Sequence, residues 1–417
     1  MRSLLIFNIS LFFLMLNCAE PGKKSSENIE VGNIIDLTAG FRNVRKVKLS
    51  EIADSITFIP FETTSESLQG DSQQTLIDFS KNYIFYYKMC YDWNGAYKGT
   101  IVKKGQGMFE EIEGGKLVYN NNHFYSKGRK LIEYDITGRP TGKIKRLYIE
   151  KEDWAKNHIG RSSLLSVVGD NFLFYDAPTT IYLVDRDFET VSTATVFQTD
   201  SSTSNFSNIG GSKFVSNYKD MVLFYNFIND TIFHVMDTGI EPRWIVSFEH
   251  PLRLPTQVML DAFILIRNLL NVARNGNPID NTDFVRRIDG KHKALSAYET
   301  ESYVLFCMTK IIMYAELRNL PEPNPYIIMF DKTNGNTIRT EDKGFVDDLL
   351  GMDYFYPLLG VFDEKMITYI WPYELLDYID DCKAHGREVN PKLTDLSKTI
   401  DPEDNPILIV AHLKKKV

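Results

Sequence analysis

The stretch "NFLFYDAPTTIYLVDRDFET", residues 171–190, contains a motif that recurs along the chain. It holds the pair Phe174-Tyr175, and Asp185 follows ten residues after the tyrosine. The same pair and acid stand about fifty residues earlier as Phe124-Tyr125 with Asp135, and about fifty residues later as Phe224-Tyr225 with Asp237. In the last copy the acid stands two residues further on. The chain therefore repeats one unit of about fifty residues.

Each unit has the pattern of short β-strands joined by turns. In the stretch quoted above, an aromatic run from Phe172 to Tyr175 follows the turn residues VGDN, and the runs IYLVD and VSTATVF come next. Three short strands that recur at a period of about 40 to 50 residues are typical of a β-propeller blade. One blade cannot bury both faces of its sheet, so we expect the blades to stack around an axis.

Six units can be counted, starting near residues 83, 123, 171, 221, 302 and 358. Two single strands remain, SITFIPFE (55–62) before the first unit and NPILIVAHLKK (405–415) after the last. If both join one blade, the ring closes and leaves no open gap. The sequence therefore predicts an all-β fold: a six-bladed β-propeller over residues 46–417, closed by the N- and C-terminal strands.

Two segments interrupt the repeat. Between the fourth and fifth units, PTQVMLDAFILIRNLLNVARNG places apolar residues largely at helical spacing. This predicts a helical insert over about residues 255–297. We interpret it as a helix packed on the side or rim of the ring, with a lid over the central channel or a partner surface as the alternative. A second, weaker helix is predicted over 373–384, inside the last blade.

The repeated residues have a structural interpretation. Neighbouring residues of a strand point to opposite faces, so the phenylalanine and tyrosine of each pair should pack against the two adjacent blades. The recurring acids come just before a turn and are expected to cap it through a side-chain oxygen. A ring of calcium ligands is the alternative, but the chain has no DxDxDG run. The acids are Asp135, Asp185, Asp237 and Asp331.

The N-terminus indicates export. MRSLLIFNISLFFLMLNC has a positive charge at Arg2 and a thirteen-residue apolar run that ends just before Cys18. Such a run is too short to span a bilayer comfortably but fits a secretory signal. We predict a lipoprotein signal peptide over 1–17, acylation of Cys18, and a flexible tether over 18–45. The alternatives are an ordinary signal peptide or an uncleaved anchor. The predicted location is the bacterial cell envelope, lipid-anchored in the outer membrane and facing either side.

Composition limits the partners. The chain is 43% hydrophobic and 24% charged, which is typical of a folded protein in water. Its net charge of -8 argues against nucleic acid as a partner, since binding a polyanion needs a basic surface. The mature chain keeps Cys90, Cys307 and Cys382, an odd number at long spacings with no CxxC motif. We expect buried thiols, with one long-range disulfide as the alternative.

No motif of catalysis or cofactor binding stands out. KKGQG (103–107) lacks the rest of a phosphate loop, and the chain has no GxSxG, HxH or HExxH motif. Adjacent carboxylates on a strand point to opposite faces and cannot act together on one bond. His234 is interpreted as a residue of an alternating strand. We therefore predict no cofactor, no metal site and no catalytic residue, although groups from different blades could still converge at the axis.

Two aromatic stretches are candidates for a ligand rim. YDWNGAY (91–97) and YIWPYELLDY (369–378) contain Trp93, Tyr97, Trp371 and Tyr373. Aromatic side chains at a polar rim suit the recognition of a sugar or a peptide, but packing between blades is the favoured alternative.

Several stretches together resemble a family of bacterial six-bladed β-propeller lipoproteins, distantly related to NHL-repeat propellers. They are VKLSEIADSITFIPFETT, VKKGQGMFEEI, the LFYDAPTTIYLVD repeats, LRLP and the terminal NPILIVAHLKK, and they cover about residues 45–415. One departure is GQGMFE at 105–110, where the family usually has Gly-x-Gly-Pro-Gly-Glu. The resemblance implies the fold and the envelope location, and it implies no reaction.

These observations predict a membrane-anchored binding or scaffold lipoprotein whose loops at one end of the ring contact a protein or a glycan. The alternative is a lyase or hydrolase that acts on a polysaccharide or a lactone. An enzyme should bring ionisable side chains from different blades together in one concave pocket. The oligomeric state stays open at this point.

Overall fold

Short antiparallel strands make up most of the fold. The computed structural model describes residues 33–68, 77–86, 89–101, 116–120, 123–127, 130–135, 137–146, 162–176, 179–196, 215–226, 230–249, 290–310, 324–341 and 343–415. From Ile35 onward the chain forms one compact unit. Within the ranges given, no helix has the length and apolar character needed to cross a bilayer.

The first elements precede the repeats. They are β1 (Ile34–Asp36), α1 (Leu37–Arg42), β2 (Val44–Arg45), α2 (Leu49–Ile52) and β3 (Ala53–Pro60). Asp36 caps the start of helix α1, where its Oδ1 accepts hydrogen bonds from the backbone N–H of Thr38 (2.8 Å) and Ala39 (3.2 Å). These bonds satisfy N–H groups that a helix start leaves without partners.

The repeats then form antiparallel blades. Blade 1 contains β4 (Ile77–Phe79), β5 (Tyr83–Tyr86), β6 (Met89–Asp92) and β7 (Tyr97–Thr100). Blade 2 contains β8 (Lys116–Asn120), β9 (His123–Lys127), β10 (Lys130–Asp135) and β11 (Pro140–Arg146). Blade 3 contains β12 (Ser163–Val168), β13 (Asn171–Asp176), β14 (Thr180–Val184) and β15 (Thr190–Thr195).

Blades 4 and 5 each have a fifth strand. Blade 4 contains β16 (Val215–Tyr218), β17 (Met221–Phe224), β18 (Thr231–Met236) and β19 (Gly239–Ser247), with β1 beside β19. Blade 5 contains β20 (His292–Glu299), β21 (Tyr303–Lys310), β22 (Tyr326–Asp331) and β23 (Thr337–Thr340), with β2 beside β23. A two-stranded sheet of β24 (Phe345–Val346) and β25 (Tyr354–Phe355) follows.

Blade 6 confirms the predicted closure of the ring. It contains β26 (Gly360–Phe362), β27 (Lys365–Ile370), β28 (Ile407–Leu413) and β3, in that order. Strand β28 pairs antiparallel with β3, from Ile407 opposite Pro60 to His412 opposite Ser55, and Leu413 lies opposite Ala53 past a register shift. One blade thus takes strands from both ends of the chain, and the structure is a six-bladed β-propeller.

The first strand of each blade lies at the axis. Strand β8 contacts β12, and β16 contacts both β20 and β26, so first strands of different blades meet one another. The fourth strand of each blade is therefore on the outside, where β1 and β2 add to blades 4 and 5.

The repeated Phe-Tyr pairs pack as predicted in blades 2, 3 and 4. Each tyrosine ring meets an aromatic ring of the following blade, at 5.2 Å for Tyr125 and Phe172 and at 5.3 Å for Tyr175 and Phe224. The third such contact joins Tyr225 to Phe306 at 5.7 Å. Phe124, Phe174 and Phe224 point to the other face and pack against the preceding blade.

Blade 1 reverses this orientation. Phe85 faces blade 2, with its ring 4.8 Å from Phe124, while Tyr86 packs with Phe61 and Ile367 on the side of blade 6. Both faces of this blade are still covered by aromatic rings, because the pair still alternates. The side that each residue takes depends on the strand register.

The N-terminal part of the chain differs from the prediction. Residues 34–45 were expected in the tether, but they form β1, α1 and β2 on the outside of blades 4 and 5. Ile35 and Leu37 are buried, and a Cβ at Gly40 would lie 3.1 Å from Ile328. Burial of these apolar residues fixes a segment that was expected to be flexible.

The predicted inserts have different outcomes. Residues 250–289, which hold the helical pattern between blades 4 and 5, lie outside the described residues. The end of the predicted insert belongs to blade 5, because β20 already begins at His292. The helix expected over 373–384 is confirmed as α3 (Pro372–Ala384), and α4 (Pro391–Ser397) follows it before β28.

Candidate functional site

The two ends of the ring differ in their connections. Between the described strands, the turns from first to second and from third to fourth strand have at most five residues. Because the strands are antiparallel, these turns share one end of the ring, which we name the short-turn end. Every connection longer than five residues lies at the opposite end, named the long-loop end. The longest are 61–76, 101–115, 147–162, 196–214, 248–291, 311–325, 341–359 and 371–406.

The insert of blade 6 gives the long-loop end an ordered surface. Leu375, Ile379 and Cys382 stand on one face of α3 and are buried in the core. The Tyr378 hydroxyl donates to the Gly351 carbonyl at 2.8 Å, and the Asn390 side chain donates to the Leu349 carbonyl at 3.1 Å. The helices are therefore held against the segment that contains β24 and β25.

Trp93 and Tyr97 lie at the short-turn end, around the turn between β6 and β7. The Trp93 ring packs against Phe79 (5.9 Å) and Phe362 (6.1 Å), and its indole N–H donates to the Ser80 carbonyl at 3.0 Å. Phe362 belongs to blade 6, so Trp93 holds blades 6 and 1 together. The Tyr97 hydroxyl is within 2.8 Å of the Thr100 hydroxyl.

Trp371 and Tyr373 lie at the long-loop end, where β27 leads into α3. Trp371 is only 4% exposed, whereas Tyr373 is 38% exposed and stacks on it with ring centroids 6.4 Å apart. The aromatic residues selected from the sequence therefore form no single platform, since the two stretches lie at opposite ends. Tyr373 offers the most exposed ring of the four.

The densest group of charges in the described structure surrounds Glu299, between blades 4 and 5. Oε1 of Glu299 accepts from Lys332 Nζ (2.8 Å) and from Arg243 Nη2 (3.1 Å). Oε2 accepts from Trp244 Nε1 (3.0 Å) and lies 3.3 Å from His234 Nε2. Two donors for each oxygen leave little acceptor capacity for any further ligand.

Local structure brings these residues together. Glu299 ends β20, and Lys332 follows β22, so both come from blade 5 at the short-turn end. Arg243 is the extra residue of a β-bulge, between the pairs Phe233–Pro242 and Ile232–Trp244. A bulge re-aims the side chains beside it, which explains how neighbouring residues of one strand both reach Glu299.

The Glu299 carboxylate stays ionised. Burial alone would raise its pKa, but the hydrogen bonds from His234 and Lys332, together with the charge of Lys332, outweigh burial and hold the pKa at about 2. Its side chain is 1% exposed. A saturated, buried carboxylate with this pKa is unsuited to proton transfer near neutral pH. This group therefore binds blade 4 to blade 5 and does not form the open pocket that an enzyme would need.

A second buried glutamate connects blades 2 and 3. Glu133 accepts from the Thr141 hydroxyl at 3.0 Å, and Arg186 Nη1 of blade 3 lies 3.5 Å away. Arg186 also pairs with Asp170 at 2.8 Å. In both groups a cation that directly follows a recurring aspartate, Arg186 or Lys332, pairs with a buried glutamate. Sequence reasoning missed these contacts, although the basic residue after the repeated acid was a visible signal.

The recurring aspartates cap turns, as predicted, in three of four positions. Asp135 Oδ1 accepts from two backbone N–H groups of its turn at 2.9 Å each, and Asp185 Oδ1 does the same at 2.8 and 2.9 Å. Asp331 Oδ1 accepts from the Thr333 N–H at 2.9 Å, and its Oδ2 accepts from the Asn334 side-chain amide at 3.0 Å. Asp237 differs because its turn has two residues only; its carbonyl accepts from the Asn171 side chain at 2.7 Å. Asx-turn hydrogen bonds explain the repeated acid without a metal.

Other chemical groups do not converge. Over the parts of the chain that the structure describes, no three His, Cys, Asp or Glu side chains lie close enough to hold a metal ion. His234 lies in β18 and is satisfied by Glu299, which agrees with its interpretation as a strand residue. Cys90, Cys307 and Cys382 are buried and form no disulfide, and burial raises the pKa of the Cys90 thiol to about 12.

Comparison with known proteins gives a family and a fold. Among solved structures, a Bacteroides fragilis protein described as exported is similar (17% identity, TM-score 0.58, 91% of this chain and 99% of that one). BamB from Moraxella catarrhalis (12%, 0.30, 68% and 75%) and the glutaminyl cyclase of Myxococcus xanthus (10%, 0.24, 63% and 93%) are more distant. No curated protein matches the sequence. The model of the family described as a domain of unknown function, DUF4934, matches residues 32–412, so the chain belongs to that family.

Proposed function

We propose that this protein is a scaffold or binding protein of the bacterial envelope, and that it contacts a protein or a glycan through its long-loop end. The difference between the two ends of the ring carries this proposal. Connections at the short-turn end are almost uniform and are used to hold blades together. All connections longer than five residues leave the strands at the other end. Loops placed on a rigid scaffold are where binding residues concentrate.

The charged groups favour binding over catalysis. The described cluster with the most ionisable side chains from different blades is the one around Glu299, and it is buried and saturated at the short-turn end. Three of the exposed large apolar side chains lie at the long-loop end, where they are suited to contact a partner. They are Tyr354 (38% exposed), Leu358 (56%) and Tyr373 (38%).

Photo-crosslinking tests which end is the binding face. A photoreactive phenylalanine would replace Tyr373 or Leu358 at the long-loop end, and Lys81 or Thr238 in short turns as matched controls. In intact cells we expect several-fold more crosslinked product from Tyr373 and Leu358. The chemical nature of the product, polypeptide or glycan, decides between the two ligand classes. Equal yields from both ends, or products from the short turns alone, would refute the proposal.

We also propose that the protein is anchored by lipid at Cys18. The support is the apolar run that ends before this cysteine, and the exported neighbour from Bacteroides fragilis agrees with an envelope address. The sixteen residues from Cys18 to Asn33 can reach at most about 55 Å when extended. The relation to NHL-repeat propellers stays a prediction.

Metabolic labelling tests the anchor. Labelled palmitate should enter the wild-type protein, and Cys18→Ala should lose the label and leave the membrane fraction. A matched control is Cys90→Ala, because this buried thiol is not available for acylation. Labelling and membrane retention that persist in Cys18→Ala would show that the anchor is different.

A further inference from the structure

The outer strand of a blade is an edge that can pair with another strand unless it is protected. Two of the six outer strands are covered by the N-terminal segment, since β1 lies beside β19 and β2 pairs with β23. In blade 6, Lys392 Nζ donates to the Ile56 carbonyl of β3 at 3.3 Å, and β3 ends at Pro60. These three edges are therefore blocked by chain segments, a lysine or a proline.

The outer strands of blades 1 and 2 carry protection in their sequences. Strand β7 is YKGT, with Lys98 at the edge and Gly99 at a φ of 139°. Strand β11 is PTGKIKR, which starts with Pro140, contains Gly142 at a φ of 86° and is rich in Lys and Arg. Lysine, proline and irregular backbone all disfavour pairing with another strand.

Strand β15 of blade 3 has none of these features. Its sequence, TVSTAT, has no charge, no proline and no glycine, and most of its side chains are β-branched. Val191 is 43% exposed, and Thr193 and Thr195 are also exposed. Uncharged strands of Thr, Val and Ser pair readily with other strands. Among the outer strands described, β15 is thus the one left open.

The hydrogen bonds to β14 show which backbone groups are available. Val196 N–H donates to the Thr179 carbonyl at 2.6 Å, and in the same register Ala194 lies opposite Ile181. The backbone N–H and C=O groups of successive residues in a strand point alternately to one neighbouring strand and to the other. Those of Ala194 and Ser192 therefore also point to β14. The N–H and C=O groups of Thr193 and Thr195 therefore point outward. The register shift near Val191 limits the regular edge to Ser192–Thr195.

We propose that β15 pairs with β15 of a second copy of this chain. In an antiparallel pair, outward-pointing residues must stand opposite each other. The identical strand meets this condition when the two-fold axis passes beside Ala194. Thr193 then lies opposite Thr195 of the partner, and Thr195 lies opposite Thr193, which gives four hydrogen bonds between the chains.

A second copy suits this edge better than an unrelated strand. Pairing of β15 with itself brings no like charges together, and it places threonines opposite each other on the exposed face, a favourable cross-strand pair. The contact is isologous, so it closes at two copies and does not grow into a filament. A four-residue edge is small, so we expect a reversible dimer.

Disulfide trapping in isolated membranes tests the register. Residues on a two-fold axis between antiparallel strands have Cα atoms about 4.5 to 5.5 Å apart, within disulfide range. Ala194→Cys should therefore give a disulfide-linked homodimer under mild oxidation. Thr57→Cys is the matched control, because Thr57 is exposed on the outer strand of blade 6. The native cysteines of the described domain are buried and add little background.

A charge on the edge gives a second test. Thr193→Lys should reduce dimer trapping at Ala194→Cys several-fold, whereas Thr193→Val, neutral and β-branched, should leave it unchanged. No homodimer at Ala194→Cys, an equal yield at Thr57→Cys, or a disulfide to a different protein would each overturn the proposal. So would sedimentation of the wild-type protein as a monomer at all concentrations up to about the millimolar range, where weak dimers form.

Discussion

Replacement of Glu299 by glutamine removes the charge that joins blades 4 and 5 and keeps the shape of the side chain. The pKa of Glu299 is about 2 in the folded protein, against an ordinary value of 4.5. This difference corresponds to about 3 kcal/mol of stability near neutral pH. The variant also leaves Lys332 and Arg243 without their counter-charge, and breaking a buried pair costs about 3 to 5 kcal/mol. We expect Glu299→Gln to lower the free energy of unfolding by about 3 kcal/mol.

The pH dependence has a defined sign. The folded pKa of Glu299 lies below the unfolded one, so its contribution is complete above about pH 4.5 and is lost as the pH falls towards about 2. The glutamine variant has no such group. The difference in stability between wild type and variant should therefore shrink as the pH decreases below about 4.5.

Urea unfolding of the purified protein, followed by tryptophan fluorescence at several pH values, measures both effects. Glu301→Gln is the matched control, because Glu301 is two residues away and its side chain is 49% exposed. Exposed charges contribute about 0 to 1 kcal/mol. If Glu299→Gln and Glu301→Gln differ by less than about 0.5 kcal/mol at pH 7, or if the loss is the same at pH 3, the reasoning fails.

Two further substitutions test the packing. Phe174→Ala should lower the free energy of unfolding by about 3 to 5 kcal/mol, because the ring is fully buried between blades 2 and 3. Leu68→Ala is the control and should change the stability little, because this side chain is 55% exposed. Thermal unfolding of the two variants measures the difference. Gly95→Ala would place a Cβ 1.9 Å from the Pro60 carbonyl oxygen, where blade 1 meets the closing strand. Gly335 is the control, because it has a similar positive φ but no atom within 4 Å of the added Cβ, so Gly335→Ala should cost only about 1 kcal/mol. Gly95→Ala should destabilise the protein more than Gly335→Ala. Equal stability of the two variants would contradict the steric argument.

Local pattern was sufficient to predict the blades. Alternation along a strand places Phe174 and Tyr175 on opposite faces whatever the rest of the chain does. The turn-capping role of Asp135 and Asp185 is equally local, since the acceptor and the donors are within four residues. Ring closure could also be predicted from the sequence, because pairing the two single strands at the ends of the repeat array in one blade removes their open edges.

Contacts between distant segments were not predictable in this way. Nothing in the sequence around Glu299 shows that Lys332 and Arg243 will surround it, since these residues are 33 and 56 positions away. Trp371 and Tyr373 stand two positions apart on the chain, yet one is buried and the other exposed. Trp371 directly follows β27 and caps α3 on the buried side, whereas Tyr373 lies in the first turn of α3 at the surface.

The sequence by itself determined the number of blades, the closure of the ring and the role of the repeated motif, because each depends on periodicity and on neighbours along the chain. Only the tertiary structure decided how the N-terminal segment covers blades 4 and 5, where the buried charges lie, and which outer edge stays open. Those features depend on residues far apart in sequence that the ring brings to the same interface. The six blades therefore share one strand pattern and differ most from one another at the contacts between blades and in the long connections between strands.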